Sequence, residues 1–245
     1  MGYPRANAMS WPSGPLLGFD LETTSADPFE ARIVSVGFAH FDSGVKTGAA
    51  HHLVDPGVPI PAGATAIHGI TNAMIAKSGL TLAEGIQLIV GLLERMQETN
   101  TPIVGMNIAF DLTIVDCLAR RLNGEGLLER GWHGPVIDVC VIDRHVDKWR
   151  GGKRRLGDLC TTYGVTLDNA HEAEADTAAS VEVLLALVRK YPDLAVAELT
   201  SLMRDQAIWR REWHTDLSAY FVKHGRRALP PHEGDWPIMR SPGAS

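Results

Sequence analysis

Three short stretches of the chain hold side chains whose types and spacing could do chemistry. Asp20 and Glu22 stand in the otherwise apolar run LLGFDLET. Side chains alternate between faces along a strand, so both carboxylates project from one face. Burying two like charges side by side is costly, and a hard divalent cation such as Mg²⁺ or Mn²⁺, which prefers oxygen ligands, offsets that cost. Asp-x-Glu alone is a weak motif, with about one chance match expected at this acidic content; the apolar flanks give it what specificity it has. Asp111 lies in GMNIAFDLTIVD, where a short strand passes into a helix. The unsatisfied N–H groups of a first helical turn favour an anion, so Asp111 by itself reads equally as a helix N-terminal charge. His171 and Asp176 share the stretch HEAEADTAAS at the start of a further helix. Their spacing is not the ideal i, i+4 of helical neighbours, but a loop carrying the histidine and a helix carrying the aspartate could still face one place.

The elements that must position these groups follow from hydrophobic period and turn signals. PLLGFDLETT and RIVSVGFAHF predict two strands joined as a hairpin, with a third near residues 47–54 closing at Asp55-Pro56-Gly57. The stretch through Pro59 and Pro61 into AIHGIT predicts an irregular loop. A helix capped by Thr81 carries Leu82, Ile86, Ile89, Leu92, Leu93 and Met96 at close to helical spacing. Then come the strand TPIVGMN, a helix through IAFDLTIVDCLARRL, the strand PVIDVC, a helix capped by Asp138, a short helix stopped by Gly164, and a long helix ended by Pro192. This order predicts an α/β fold, a mixed β-sheet flanked by α-helices. Residues 1–14 predict a loose tail, 15–192 the catalytic unit, and 193–245 a helical extension with a Pro- and Gly-punctuated tail.

Composition narrows the class. With 45% hydrophobic and 21% charged residues over 245 positions, the chain suits a soluble globular domain rather than a disordered or fibrous one. The net charge of −6 excludes a globally basic surface, so any nucleic-acid partner must be held by local basic stretches. No apolar run reaches the roughly 18 residues that span a bilayer, and the N-terminus lacks the apolar stretch of a secretory signal, which predicts a cytoplasmic protein without a membrane partner. Three cysteines without C-x-x-C spacing fit neither a disulfide framework nor a zinc ribbon. The phosphate- and dinucleotide-binding glycine motifs G-x-x-x-x-G-K-[ST] and G-x-G-x-x-G are absent.

FDLET with Asp20 and Glu22, N-x-x-F-D with Asn107, Phe110 and Asp111, and H-x-x-x-x-D with His171 and Asp176 resemble, in order, the three motifs of the DEDDh 3′–5′ exonuclease family, the group of the proofreading epsilon subunit of bacterial DNA polymerase III. The resemblance covers residues 15–192, AIHGIT included. It implies a ribonuclease H-like sheet and two divalent metal ions, Mg²⁺ or Mn²⁺, held by Asp20, Glu22, Asp111 and Asp176. It also implies His171 as the general base and nucleoside 5′-monophosphates released from DNA 3′ ends, single-stranded or frayed. By the same resemblance Thr23 and His68 contact the terminal nucleotide and Phe110 stacks near a base. The implied partners are single-stranded DNA or DNA 3′ ends, with RNA as the alternative substrate, and a DNA polymerase, although no segment after residue 192 matches a polymerase anchor. A binding or docking module without turnover is the rival from another class; the costly clustered charges speak against it.

Other residues carry competing readings. Thr23 could merely end a strand, Phe110 belong to the core, His68 bond a loop backbone, and Asn107 hold the turn before its helix. Asp116, Asp138, Asp143 and Asp158 read as caps and solvated helix charges. The basic stretch Arg144 to Arg155 could track phosphates or simply face solvent, and Arg210, Arg211, Lys223, Arg226 and Arg227 form a second basic group. Trp209 and Trp213 are expected to pack the extension onto the domain.

Overall fold

A computed structural model describes residues 11–167 and 173–241. In chain order its strands are β1 (Leu16–Thr23), β2 (Ile33–Asp42), β3 (Val45–Leu53), β4 (Ile103–Gly105) and β5 (Val136–Asp138). Its helices are α1 (Ala62–His68), α2 (Asn72–Ser78), α3 (Leu82–Glu98), α4 (Ala109–Asn123), α5 (Val139–Val146), α6 (Leu156–Tyr163), α7 (Ala173–Lys190), α8 (Asp193–Val196) and α9 (Leu199–Lys223). The sheet order is β3-β2-β1-β4-β5, antiparallel from β3 to β1 and parallel from β1 to β5. This is the mixed, helix-flanked, ribonuclease H-like arrangement that the element order predicts. Among the described residues no helix is long and apolar enough to cross a membrane.

β1 divides the core. Its Leu17, Phe19 and Leu21 pack with Ile86, Ile89 and Leu93 of α3 and Leu112 and Val115 of α4. Leu16, on the opposite face, packs with Ile142 of α5, Leu159 of α6 and Val181, Leu184 and Leu187 of α7. Helices therefore cover both faces of the parallel strands, which is why β4 and β5 are short and wholly buried. The predicted caps form: Thr81 and Glu84 make a reciprocal capping box on α3, and Asp138 accepts from Cys140 and Val141 N–H at the start of α5.

Three expectations need correction. The loop expected through Pro59 and Pro61 contains α1 and α2; Ile60, Ile70 and Ile75 anchor it to Val34 of β2. Each helix has only seven residues, too few to show a period, and the proline that reads as a breaker stands at the N-cap of α1. Residues 11–14, expected to belong to a loose tail, are instead held in place. Residues 11–13 form a 3₁₀ turn, and the Trp11 indole donates to the Ala197 carbonyl at 3.2 Å. Residues 1–10 lie outside the described residues. The segment after residue 192, finally, is built into the core. Trp236, Ile238 and Met239 are buried with α3 and α4, and Met239 N–H donates to Thr113 Oγ1 at 2.8 Å.

α9 also completes the sheet. β5 is an edge strand, and a buried edge needs partners for its backbone. Gln206 supplies them, accepting from Asp138 N–H at 2.7 Å and donating to the Val136 carbonyl at 3.1 Å. Gln206→Ala leaves both groups unpaired and is expected to cost about 1–3 kcal/mol in urea unfolding. Arg204→Ala, on the exposed face of the same helix, should stay within about 0.5 kcal/mol of the parent chain.

Candidate active site

β1 carries the first two acids to the edge of the sheet where β4 and β5 also end. Asp20 and Glu22 pair with Gly37 and Ser35 of β2, and the register slips just after Glu22, so the chain turns away beyond the pair. Two residues before Asp20, on the same face, stands Gly18. A methyl group there would lie 2.6 Å from the Thr177 carbonyl oxygen, so only glycine lets α7 lie this close to β1. Asp176 immediately precedes Thr177. One oxygen each from Asp20, Glu22 and Asp176 consequently falls within 4.8 Å of the others.

Asp111 arrives from the first turn of α4. It is 5% exposed, and one oxygen accepts from Leu21 N–H at 3.2 Å, which ties it to β1 between the other two acids. Its charge acts directly on Asp20. The structure thus gathers all four predicted carboxylates, three as a tight cluster and Asp111 fastened to the strand beside them. His171 lies outside the described residues.

The electrostatics are those of carboxylates crowded together and buried. Burial, then the charges of Asp111, Glu22 and Asp176, hold Asp20 well above the usual carboxylate range. Burial and then Asp176 push Glu22 up to about 7. Asp111 is also raised well above its ordinary value, chiefly by burial; its own amide and that of Leu21 pull it back, while Asp138 and Glu22 push it up. Clustered hard oxygen donors that resist ionisation fit a divalent cation.

A cavity of about 360 Å³ opens beside the cluster, lined by Glu22, Thr23, His68 and Phe110 among others. The three predicted substrate contacts therefore share one wall. Thr23 Oγ1 donates to the Ser25 carbonyl at 2.9 Å and so helps shape the turn after β1. His68 ends α1; its Nδ1 accepts from Ile70 N–H at 3.1 Å, which leaves the proton on Nε2. That nitrogen is buried without a hydrogen-bond partner among the described residues. Burial holds His68 below the usual histidine value, with the Thr23 backbone opposing. Phe110 is half-buried against the core.

Asn107, Asp138 and Arg210 form a support that sequence reasoning did not assemble. Asn107 turns left-handed at φ 59°, its N–H donates to Asp138 Oδ1 at 3.1 Å, and its Oδ1 accepts from Arg210 Nη1 at 3.2 Å. Arg210 also donates to the Glu233 carbonyl through Nε and Nη2. Asp138, fully buried, is raised by desolvation, with Arg210 the leading opposing influence. Asn107 holding its turn and Asp138 as a cap were both legible. The arginine, on a helix far along the chain, left no signal.

Two acids read as solvated are buried hubs. Asp143 is wholly buried and accepts from Arg150 at 2.8 Å, Arg154 at 2.5 Å and Tyr163 OH at 2.7 Å. Asp116, 3% exposed, accepts from Leu128 N–H and pairs with Arg120 at 2.9 Å. Part of the basic stretch is engaged as well: beyond those two arginines, Lys148 faces Asp216 in an exposed pair and Arg144 lies over Trp213. Trp209 stacks on His145 at 3.7 Å, as expected of residues that fasten α9 to the domain.

Comparisons with known proteins agree with this geometry. The exonuclease family RNase_T matches residues 17–184. A DNA polymerase III subunit epsilon-like protein of Rhodobacter capsulatus is 32% identical over 188 residues, 75% of this chain and 24% of the relative. A moderately thermophilic exonuclease I from Methylocaldum szegediense superposes with a TM-score of 0.59 at 27% identity, over 74% of this chain and 42% of that one. E. coli exonuclease I in complex with a dT13 oligonucleotide superposes with a TM-score of 0.64 at 22% identity, over 84% and 46%, a likeness of fold. The chain spans about a quarter of the length of its Rhodobacter relative and under half of these exonuclease I chains.

The raised acids have a thermodynamic signature. A carboxyl whose folded pKa lies above its unfolded value of 4.5 contributes stability below that value and loses it as pH rises through about 7, as Glu22 does here. In EDTA the melting temperature should therefore fall by several degrees between about pH 5 and about pH 8. Millimolar Mn²⁺ should restore it, most strongly at the alkaline end. A flat EDTA profile, or an equal Mn²⁺ effect at both ends, would contradict this account of the cluster.

Proposed function

Because this chain belongs to the RNase_T exonuclease family, we propose that it is a metal-dependent 3′–5′ exonuclease acting on DNA 3′ ends, single-stranded or frayed, and releasing nucleoside 5′-monophosphates. The observation that carries the reading is the convergence of Asp20, Glu22 and Asp176 within 4.8 Å, beside a cavity that shares Glu22. In this reading Asp20, Glu22, Asp176 and Asp111 hold two divalent ions, Mg²⁺ or Mn²⁺. When bound, such ions stabilise the attacking and leaving oxygens of a phosphodiester and make a water more acidic.

The chain's own residues do the rest. His171 takes the proton from the attacking water, a role suited to a group that titrates near neutrality. The Leu21 amide keeps the Asp111 carboxylate turned toward β1. His68 offers its Nε2 proton to the terminal nucleotide, and Phe110, on the same cavity wall, stacks near a base. Thr23 shapes the rim through its bond to Ser25. DNA rather than RNA is favoured by the relatives, several of which are named as DNA polymerase III proteins, and by the oligonucleotide bound to exonuclease I. The same names support a DNA polymerase as the partner class.

Incubation with 3′- and 5′-labelled single-stranded DNA and RNA, in Mg²⁺, Mn²⁺ or EDTA, tests this reading. Stepwise shortening from the 3′ end, abolished by EDTA and faster on DNA, is expected; faster RNA shortening would reassign the substrate. Asp20→Asn should remove activity together with Mn²⁺ binding. His171→Ala should retain Mn²⁺ binding by calorimetry and slow turnover about 10²- to 10⁴-fold, the usual worth of a general base. Undiminished turnover in that variant would take His171 out of the role.

A further inference from the structure

The hollow beside the acidic cluster continues into the segment that follows α7. Through Ala26 and Phe110 it joins a second cavity of about 550 Å³, where Phe29 faces Arg210 and His232. His232 is shared in turn with a third hollow of about 1160 Å³, a groove between α9 and the tail lined in part by Arg211, His214, Lys223 and Arg240. We propose that these three hollows form one track, in which the C-terminal segment binds the single strand upstream of the nucleotide being removed. The proposal rests on the exonuclease reading for its direction, from the 3′ end at Asp20 and Glu22 outward along α9.

Charge favours a polyanion. Within a chain of net charge −6, the third groove gathers three cationic side chains, and Arg211 and Arg240 share the single carboxylate of Asp235 at 3.7 and 3.6 Å. Positive charge remains in excess there, and both guanidinium groups are about two-thirds exposed. The basic stretch from Arg144 to Arg155 is the weaker candidate, because Arg150 and Arg154 are turned inward onto the buried Asp143.

Ring chemistry and anchoring point the same way. Phe110 stands where the first two hollows meet, and His232 where the second meets the third. His232 sits edge-on to Phe29, with ring centroids 5.4 Å apart. Aromatic rings lining a track suit bases of any identity, which an exonuclease must accept. On the wall of the third groove, His214 is 6% exposed with a buried Nε2 that has no hydrogen-bond partner among the described residues. The tail that makes this wall is fixed by the Arg210 bonds to the Glu233 carbonyl and by the packing of Trp236, Ile238 and Met239. A firm wall lowers the entropic cost of binding a flexible strand.

The test measures binding separately from cleavage. Fluorescence anisotropy in EDTA would follow a labelled oligothymidylate of about 12 nucleotides, within the span such grooves cover. The triple variant Arg211→Glu, Lys223→Glu, Arg240→Glu should bind at least about tenfold more weakly, with a shallower dependence on salt. Arg211→Lys with Arg240→Lys should bind like the parent, and matching melting temperatures would show that the variants fold. Hydrolysis of the p-nitrophenyl ester of thymidine 5′-monophosphate, which occupies only the first hollow, should be unchanged in the triple variant. Unchanged binding and salt dependence in the triple variant overturn the track. Weakened binding with no hydrolysis of ester or oligonucleotide by the parent chain overturns the exonuclease reading and leaves the track standing.

Discussion

Mutual repulsion among four carboxylates at one end of the sheet is the constraint that the surrounding structure answers. Asp20, Glu22 and Asp111 are each raised, chiefly by desolvation and then by neighbouring carboxylates, so they would not choose this arrangement in a free chain. The fold imposes it with its most deeply packed parts. β1 is wedged between two apolar clusters, α7 lies directly on the strand, and α4 enters the core with Leu112 and Val115 just after Asp111. Flexible loops could relax away from the repulsion; these elements cannot without opening the core.

The C-terminal segment belongs to the same answer. Gln206 closes the buried edge of β5, Arg210 moderates the buried charge of Asp138, and Asp138 holds the amide of Asn107, four residues before Asp111. A chain of hydrogen bonds therefore leads from α9 to the turn that delivers one of the acids. The family match ends at residue 184, so this buttress is built by residues outside it. The exonuclease unit and its extension are energetically one body, with Trp236 and Met239 in the same apolar cluster as Phe19.

What could be read from the sequence was local and periodic. The alternation of LLGFDLET put Asp20 and Glu22 on one face, and the structure keeps them there. The caps at Thr81 and Asp138 and the stop at Gly164 depend on a few adjacent residues, and they form as read. Where meaning depends on partners distant in sequence, it was hidden. Asp143 looks like any helix-face acid until Arg150, Arg154 and Tyr163 fold over it, and only then are those two arginines seen to be turned inward. Arg210 looks like one more extension charge until α9 brings it to Asn107. The helices α1 and α2 were missed for a different reason: single-cluster anchoring by Ile60, Ile70 and Ile75 replaces the repeating apolar face that longer helices show.

The contact between Gly18 and Thr177 carries a consequence for how this architecture tolerates change. The spacing between β1 and the start of α7 is set there by main chain against main chain, with no β1 side chain in the gap. Aliphatic residues elsewhere in the flanking clusters can be exchanged for others of similar volume while that ruler stays the same length. Such a site can drift widely in core composition among distant relatives and still keep its acids in step, provided this one position never acquires a side chain.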